Sequence, residues 1–213
     1  MACRGRRLGC GAPRRKGRAV PNSPLDWTRP PAQGRDYEQV KNLDLPFAWE
    51  LVDGSIVVRG MTCQWHDTVR DRLYFWLESA RQRPFAVNAH RCVLVDAYNP
   101  PKPDVVVFDR TGLDPFSLEC VPVAAVALVV EVVSQGSRRE DRFRKPAMYA
   151  EAGVPYFWRV ERGEDDAPVV YEFHLDARTG VYAPAPAGPV HTDVLRTDVP
   201  YPVGIDLRRV FDA

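Results

Sequence analysis

Hydrophobic and polar positions along this chain fall into short blocks with two different periods. Trp49-Glu50-Leu51-Val52 and Ser55-Ile56-Val57-Val58 flank Asp53-Gly54. An Asp-Gly pair between apolar runs marks a two-residue hairpin turn, because both turn positions need positive φ. Trp65, Val69, Leu73, Trp76 and Leu77 then recur at helical spacing, with Asp67, Arg70, Asp71 and Arg72 between them. This pattern predicts an amphipathic helix that ends near Pro84. Strands are expected over 85–89, 91–97 and 104–108, and a loop around Gly112 and Pro115 leads into a long buried strand over 123–133. Ser137 is placed to cap a further helix that stops at Gly153. Pro146 falls inside that helix, which predicts a kink there or a later start. Strands follow over 156–160 and 169–175. Residues 179–213 are rich in proline and read as loops with one closing strand over 203–207. The order, hairpin, helix, strands, helix and strands, predicts an α/β fold in which a mixed sheet is flanked by helices.

Composition adds a boundary. Residues 1–35 are rich in Arg, Gly and Pro without periodicity and are expected to be a disordered tail, either a solvated segment or an arm on nucleic-acid phosphates. Residues 36–213 are then a single domain, long enough for one substantial core. The tail holds nine Lys or Arg against one acid. Of the chain's 29 bases and 28 acids, 20 and 27 therefore remain for residues 36–213, a net of −7. An acidic body argues against a broad surface that coats nucleic acid. No apolar run approaches the roughly 20 residues of a membrane helix, so no membrane partner is expected. The arginine-rich start lacks an apolar segment behind it and does not read as a secretory signal. Five cysteines in no metal-ligand spacing suggest reduced thiols in a cytoplasmic protein.

The chemistry lies in two buried-strand runs. Pro103-Asp104 opens PDVVVFD, and Glu131 sits inside LVVEVVS. A carboxylate placed in such a run costs several kcal/mol unless a partner or a metal compensates it. If the two strands are neighbours, Asp104 and Glu131 converge at one sheet edge. They could then hold Mg²⁺ or Mn²⁺, with the Val132 carbonyl as a further oxygen; ion pairing with Arg91 or Lys102 is the plainer alternative. On the helix that follows, Asp141, Lys145 and Tyr149 are four apart and share a face. A lysine there could orient water or stabilise phosphorane charge, and a surface Asp–Lys pair is the plainer reading. Glu50 could supply a third metal ligand, or simply be a polar residue beside the turn. His66 could act as a base, though a histidine at a helix start more often caps or is solvated. Trp49, Trp65, Trp76 and Trp158 could stack on bases, with core packing the better account of Trp65 and Trp76.

The runs PKPDVVVFD and LVVEVVSQGSRREDRFRKPAMYAEAGVPYFWRVE, with the upstream ELVDG hairpin and His66, resemble the Uma-type putative restriction endonuclease family of the PD-(D/E)XK nuclease superfamily. The resemblance covers roughly residues 40–210. It implies a restriction-endonuclease-like sheet with an extra N-terminal β-hairpin and a metal-dependent endonuclease acting on DNA. Asp104, Glu131 and Lys145 would then be the catalytic set, with Asp141, Tyr149 and Glu50 in support. Two departures stand out. Gln135 replaces the family's usual proline, and Val133 occupies the place where the superfamily's lysine normally stands, so the lysine moves to Lys145 on the next helix. A non-cleaving binding module on the same scaffold is the alternative, and RNA is a further substrate class. A homodimer is expected if both strands of a duplex are cut.

Overall fold

The structure is a computed structural model and describes residues 26–211. In chain order it contains α1 (Tyr37–Val40), β1 (Trp49–Val52), β2 (Ser55–Val58), α2 (Gln64–Ala80), β3 (Phe85–Ala89), β4 (Val93–Leu94), β5 (Val105–Asp109), β6 (Val121–Pro122) and β7 (Val126–Val132). A π-helical segment, Glu140–Arg144, then runs into α3 (Lys145–Glu151). It is followed by β8 (Tyr156–Arg162), β9 (Pro168–Asp176), β10 (Val181–Pro184), β11 (Val190–His191), β12 (Val194–Thr197) and β13 (Val203–Asp206). The central sheet has the order β10-β9-β8-β7-β5-β3, with β11 on a free stretch of β9. Every pairing in it is antiparallel except β7 with β8, and a parallel pair needs a crossover; here the crossover carries the π segment and α3.

Pleat parity divides the core. Val105, Val107, Leu128, Val130 and Val132 face α2 and pack on Trp65, Val69, Leu73 and Leu77. Val106, Phe108 and Val129 face the other way, against Tyr149 and Val154 of the α3 region. Asp104 and Glu131 share the parity of this second set, because side chains two apart on a strand share a face. Val105 pairs with Val130, so the next step along the ladder sets Asp104 opposite Glu131.

The β1–β2 hairpin lies outside the central sheet. Asp53 (φ 48°) and Gly54 (φ 71°) form its turn, as the Asp-Gly pair predicts. Gly54 packs against Gly34, and a Cβ on Gly54 would stand 2.7 Å from the Gly34 Cα.

Several expectations are corrected. The strand expected over 91–97 reduces to the two residues of β4, and the buried run over 123–133 opens with a 3₁₀ turn at Val123–Ala125 before β7 begins. The proline-rich end carries β10, β11 and β12 as well as its closing strand. Ser137 stands just before the helical run, which opens at Arg138, and its carbonyl accepts the Asp141 N–H, but its side chain bonds the Ser134 backbone N–H and hydroxyl rather than the helix. Of the tail expected over 1–35, residues 1–25 lie outside the described residues. Within residues 26–35, Trp27 stacks edge-on against Phe47 and buried Arg35 donates to the carbonyls of Asp26 and Arg29, while residues 28–33 are exposed. Cys92 and Cys120 form a disulfide and are not reduced thiols, because the β4–β6 pairing brings the two chain segments side by side. Cys63 is free and exposed. No helix among the described residues is long and apolar enough to cross a membrane.

Candidate active site

The crossover helix is shaped by Pro146. Its missing N–H cannot bond the carbonyl four residues back, and its ring crowds that carbonyl. The chain widens into the π segment, in which the Lys145 N–H reaches back five residues to Glu140. The helix then closes at Gly153 (φ 80°), with the Val154 N–H bonding the Tyr149 carbonyl and the Gly153 N–H bonding that of Ala150. Fixed at both ends in this way, the helix points Asp141, Lys145 and Tyr149 at Glu131.

Lys145 Nζ lies 3.0 Å from Glu131 Oε2 and 2.9 Å from Asp141 Oδ1. The Tyr149 hydroxyl donates to Glu131 Oε1 at 3.2 Å. On the neighbouring strand, Asp104 Oδ2 accepts the Val132 N–H at 2.8 Å and stands 3.3 Å from His66 Nε2. Asp104 Oδ1 is buried without a hydrogen-bond partner; His90 Nε2 approaches it only to 3.5 Å. Glu50, from β1, reaches the same space. Its Oε1 also lacks a hydrogen bond, since the 3.4 Å approach of Arg59 Nε is an ion pair without bonding geometry. Asp141 Oδ1 faces the lysine in the same unaligned manner. Glu50, Asp104, Glu131, Val132, Asp141 and Lys145 together line one cleft of about 220 Å³. Tyr149 stands behind it.

Burial and crowding set the charges. Desolvation alone would raise Asp104, but His66, His90 and the Val132 N–H outweigh it and hold the carboxyl below its usual range. Burial pushes Glu131 well up; Lys145 opposes this, and Asp141, Asp104 and Glu50 add to it. Asp141 is likewise raised, first by burial. Burial works to strip Lys145 of its proton, and the four surrounding carboxylates hold the proton on. One ammonium thus faces four acids in the cleft. This excess of acids over bases, together with the hard oxygens Asp104 Oδ1 and Glu50 Oε1 that lack partners, suits a divalent cation of the magnesium class, whose charge would favour the ionised carboxylates. Among the described residues no three His, Cys, Asp or Glu converge closely enough to cage a metal by themselves. Magnesium does not need such a cage, because it keeps several waters and takes one or two carboxylates.

The sequence missed His90, Arg59, Arg144 and Asn99. His90 could have been found from strand pairing: Ala89 pairs with Val105, so the next step sets His90 beside Asp104. Arg144 donates to Asp53 Oδ2 and Asn99 Oδ1, each at 3.2 Å, and so ties the hairpin to the crossover helix. His66 is neither a cap nor solvated; it is buried and held between Asp67 and Asp104. Trp65 and Trp158 are core residues, and Trp76 packs on the core. Trp49 packs in the small cluster beneath the hairpin, with Lys102 Nζ 5.6 Å from its ring.

A mixed sheet with helices on both faces and a carboxylate-lined cleft where β5 begins and β7 ends makes this a nuclease-like α/β protein. The chain belongs to the family described as "Uma2: Putative restriction endonuclease", whose model matches residues 35–201. Among solved structures it is similar to a crystal structure of a "putative nuclease belonging to DUF820" from Anabaena variabilis. That similarity has 13% identity, covers 82% of this chain and 95% of the other, and gives a TM-score of 0.60. At that identity the likeness concerns the fold. No curated protein matches the chain.

Proposed function

We propose that this chain is a metal-dependent endonuclease that hydrolyses DNA phosphodiester bonds through the cleft at Asp104, Glu131 and Lys145, in the manner of the PD-(D/E)XK superfamily. One observation carries the reading. A buried lysine is held between Glu131 and Asp141, in the same cleft as an Asp104 oxygen that has no partner.

Asp104 and Glu131 would hold Mg²⁺ or Mn²⁺, with the Val132 carbonyl assisting and Glu50 as a further oxygen. The bound ion would supply polarisation of the scissile phosphate and a lowered pKa for the attacking water. The chain's own groups do the rest. Asp104 is locked by the Val132 N–H and His66 on Oδ2, which leaves Oδ1 as the oxygen facing the cleft. Tyr149 fixes the Glu131 carboxylate from behind. Lys145, kept protonated by its neighbours, positions water and stabilises charge developing on the phosphorane oxygens. Asp141 orients the lysine. From the helix, Lys145 Nζ lies 3.0 Å from Glu131 Oε2, which supports giving it the role of the lysine that Val133 replaces.

The test uses closed circular DNA, both single-stranded and supercoiled duplex, with about 5 mM Mg²⁺ or Mn²⁺ to saturate a weak carboxylate site. Wild type is expected to open the circles only when metal is present, and Asp104→Ala and Lys145→Ala are expected to abolish opening. Folded wild type that opens neither circle with either metal overturns the reading and leaves a binding module on a nuclease scaffold.

A further inference from the structure

Resting on that nuclease reading, we propose that the strand cut in this cleft is unpaired: the substrate class is single-stranded DNA, or the unpaired arm of a duplex, entering beneath the β1–β2 hairpin. Three features of the cleft carry this, with the charge of the body as an independent fourth.

The floor is deep. Asp104, Glu131, Asp141 and Lys145 are only 3%, 1%, 2% and 8% exposed. A reacting phosphate must therefore leave the molecular surface and enter a space of about 220 Å³. B-form DNA stays straight over roughly 50 nm and presents its phosphates along the outside of a rod. It can lay a phosphate against a surface, but it cannot pass one strand under an overhang.

The overhang is fastened. Arg144 holds the Asp53 carboxylate at the hairpin tip, and Asn99 accepts from both Arg144 and the Asp53 N–H. The Gly54 N–H adds a bond to the Tyr98 carbonyl at 3.2 Å.

The wall is apolar. Val57 and Val58 line the cleft beside Met148, yet the two valines remain 45% and 49% exposed. Unpaired bases offer flat apolar faces to such a wall, whereas paired bases keep those faces stacked on one another. Arg59 and Arg144, on the same lining, suit the backbone of one strand.

The body carries about −7 outside residues 1–35. Tight duplex binding commonly rests on something like 6–10 phosphate contacts, which this acidic body is poorly equipped to make. A strand held in a cleft needs few. One cut severs an unpaired strand, so this substrate does not call for the dimer that double-strand cleavage would require.

The experiment takes one end-labelled oligonucleotide in three forms: single strand, blunt duplex, and duplex with an unpaired arm, each with Mn²⁺. Single strand and arm should be cut at least about tenfold faster than blunt duplex, with arm cuts confined to unpaired positions. Fluorescence anisotropy without metal should show the same preference in binding. Asp53→Gly keeps a residue suited to the turn and frees the hairpin from Arg144; it should raise duplex cleavage relative to single strand. Blunt duplex cut and bound as well as single strand overturns this inference and leaves the nuclease standing. If no form is cut, the nuclease reading falls and this inference falls with it.

Discussion

At the scale of single residues, Lys145 is the group on which the site turns. Its ammonium lies 3.0 Å from Glu131 and 2.9 Å from Asp141, inside the fold. Removing one partner of a buried charge cluster strands the others, which costs about 3–5 kcal/mol. Lys145→Met should therefore lower unfolding free energy by about 3 kcal/mol in urea titrations at neutral pH and abolish cleavage. A variant as stable as wild type would mean that the lysine is not compensating the acids. Asp104 and Glu131 could be read from sequence because each interrupts a β-branched apolar run, and the cost of burying them demands an explanation. Lys145 was a candidate from its helical spacing with Asp141 and Tyr149, and the resemblance singled it out, since that spacing alone equally describes a surface pair. Asn99 could not be read at all, and His90 only by carrying the register of the β3–β5 pair one step past Ala89. They reach the site through strand register and a hairpin tie, neither of which leaves a local pattern.

Among the elements, the crossover helix and the hairpin matter most. Pro146 produces the π segment, and the π segment sets where Asp141 and Lys145 point. Pro146→Ala restores the missing donor and lets an ordinary α-helical turn form. Stability should change by less than about 1 kcal/mol, while cleavage falls ten- to a hundredfold, as misplacement of a catalytic group by about 1 Å commonly does. Equal cleavage rates in the two proteins would mean that the widened turn has no part in the chemistry. For the hairpin, Gly54→Ala places a Cβ 2.7 Å from the Gly34 Cα and 2.8 Å from the Arg35 nitrogen, at φ 71°. A cost of about 1–3 kcal/mol is expected, seen as faster hydrogen exchange at residues 49–58. Unchanged exchange there would contradict the close packing. The hairpin was plain in the sequence because Asp-Gly has few other uses between apolar runs. The strands β10, β11 and β12 were hidden among prolines: Pro184 ends β10, and the carbonyl of Pro189 accepts from the Glu172 N–H on β9. Proline content alone suggested loops, although β10 and β12 each pair with the strand beside them in the chain, β9 and β13, and only β11 reaches back past β10 to β9.

For the molecule as a whole, the α/β class and the helix-flanked mixed sheet followed from the order of periodic blocks, but the strand order did not. The β7–β8 parallel pair depends on how the crossover closes, and the edge position of β3 on its pairing with β5. The disulfide shows the same limit: Cys92 and Cys120 are 28 residues apart and become neighbours only through the β4–β6 pairing. What unites the molecule is a cleft where β5 begins and β7 ends, in which the hairpin, the central sheet and the crossover helix gather four acids around one lysine, an arrangement we propose binds a divalent cation. The most direct test is a calorimetric titration of Mn²⁺ into wild type and Asp104→Asn. Wild type should bind with measurable heat, and unfolding should be opposed by about 2.7 kcal/mol at a hundredfold excess of Mn²⁺ over Kd. Asp104→Asn should bind at least about tenfold more weakly. No heat and no stabilisation in folded wild type would contradict the account at its centre.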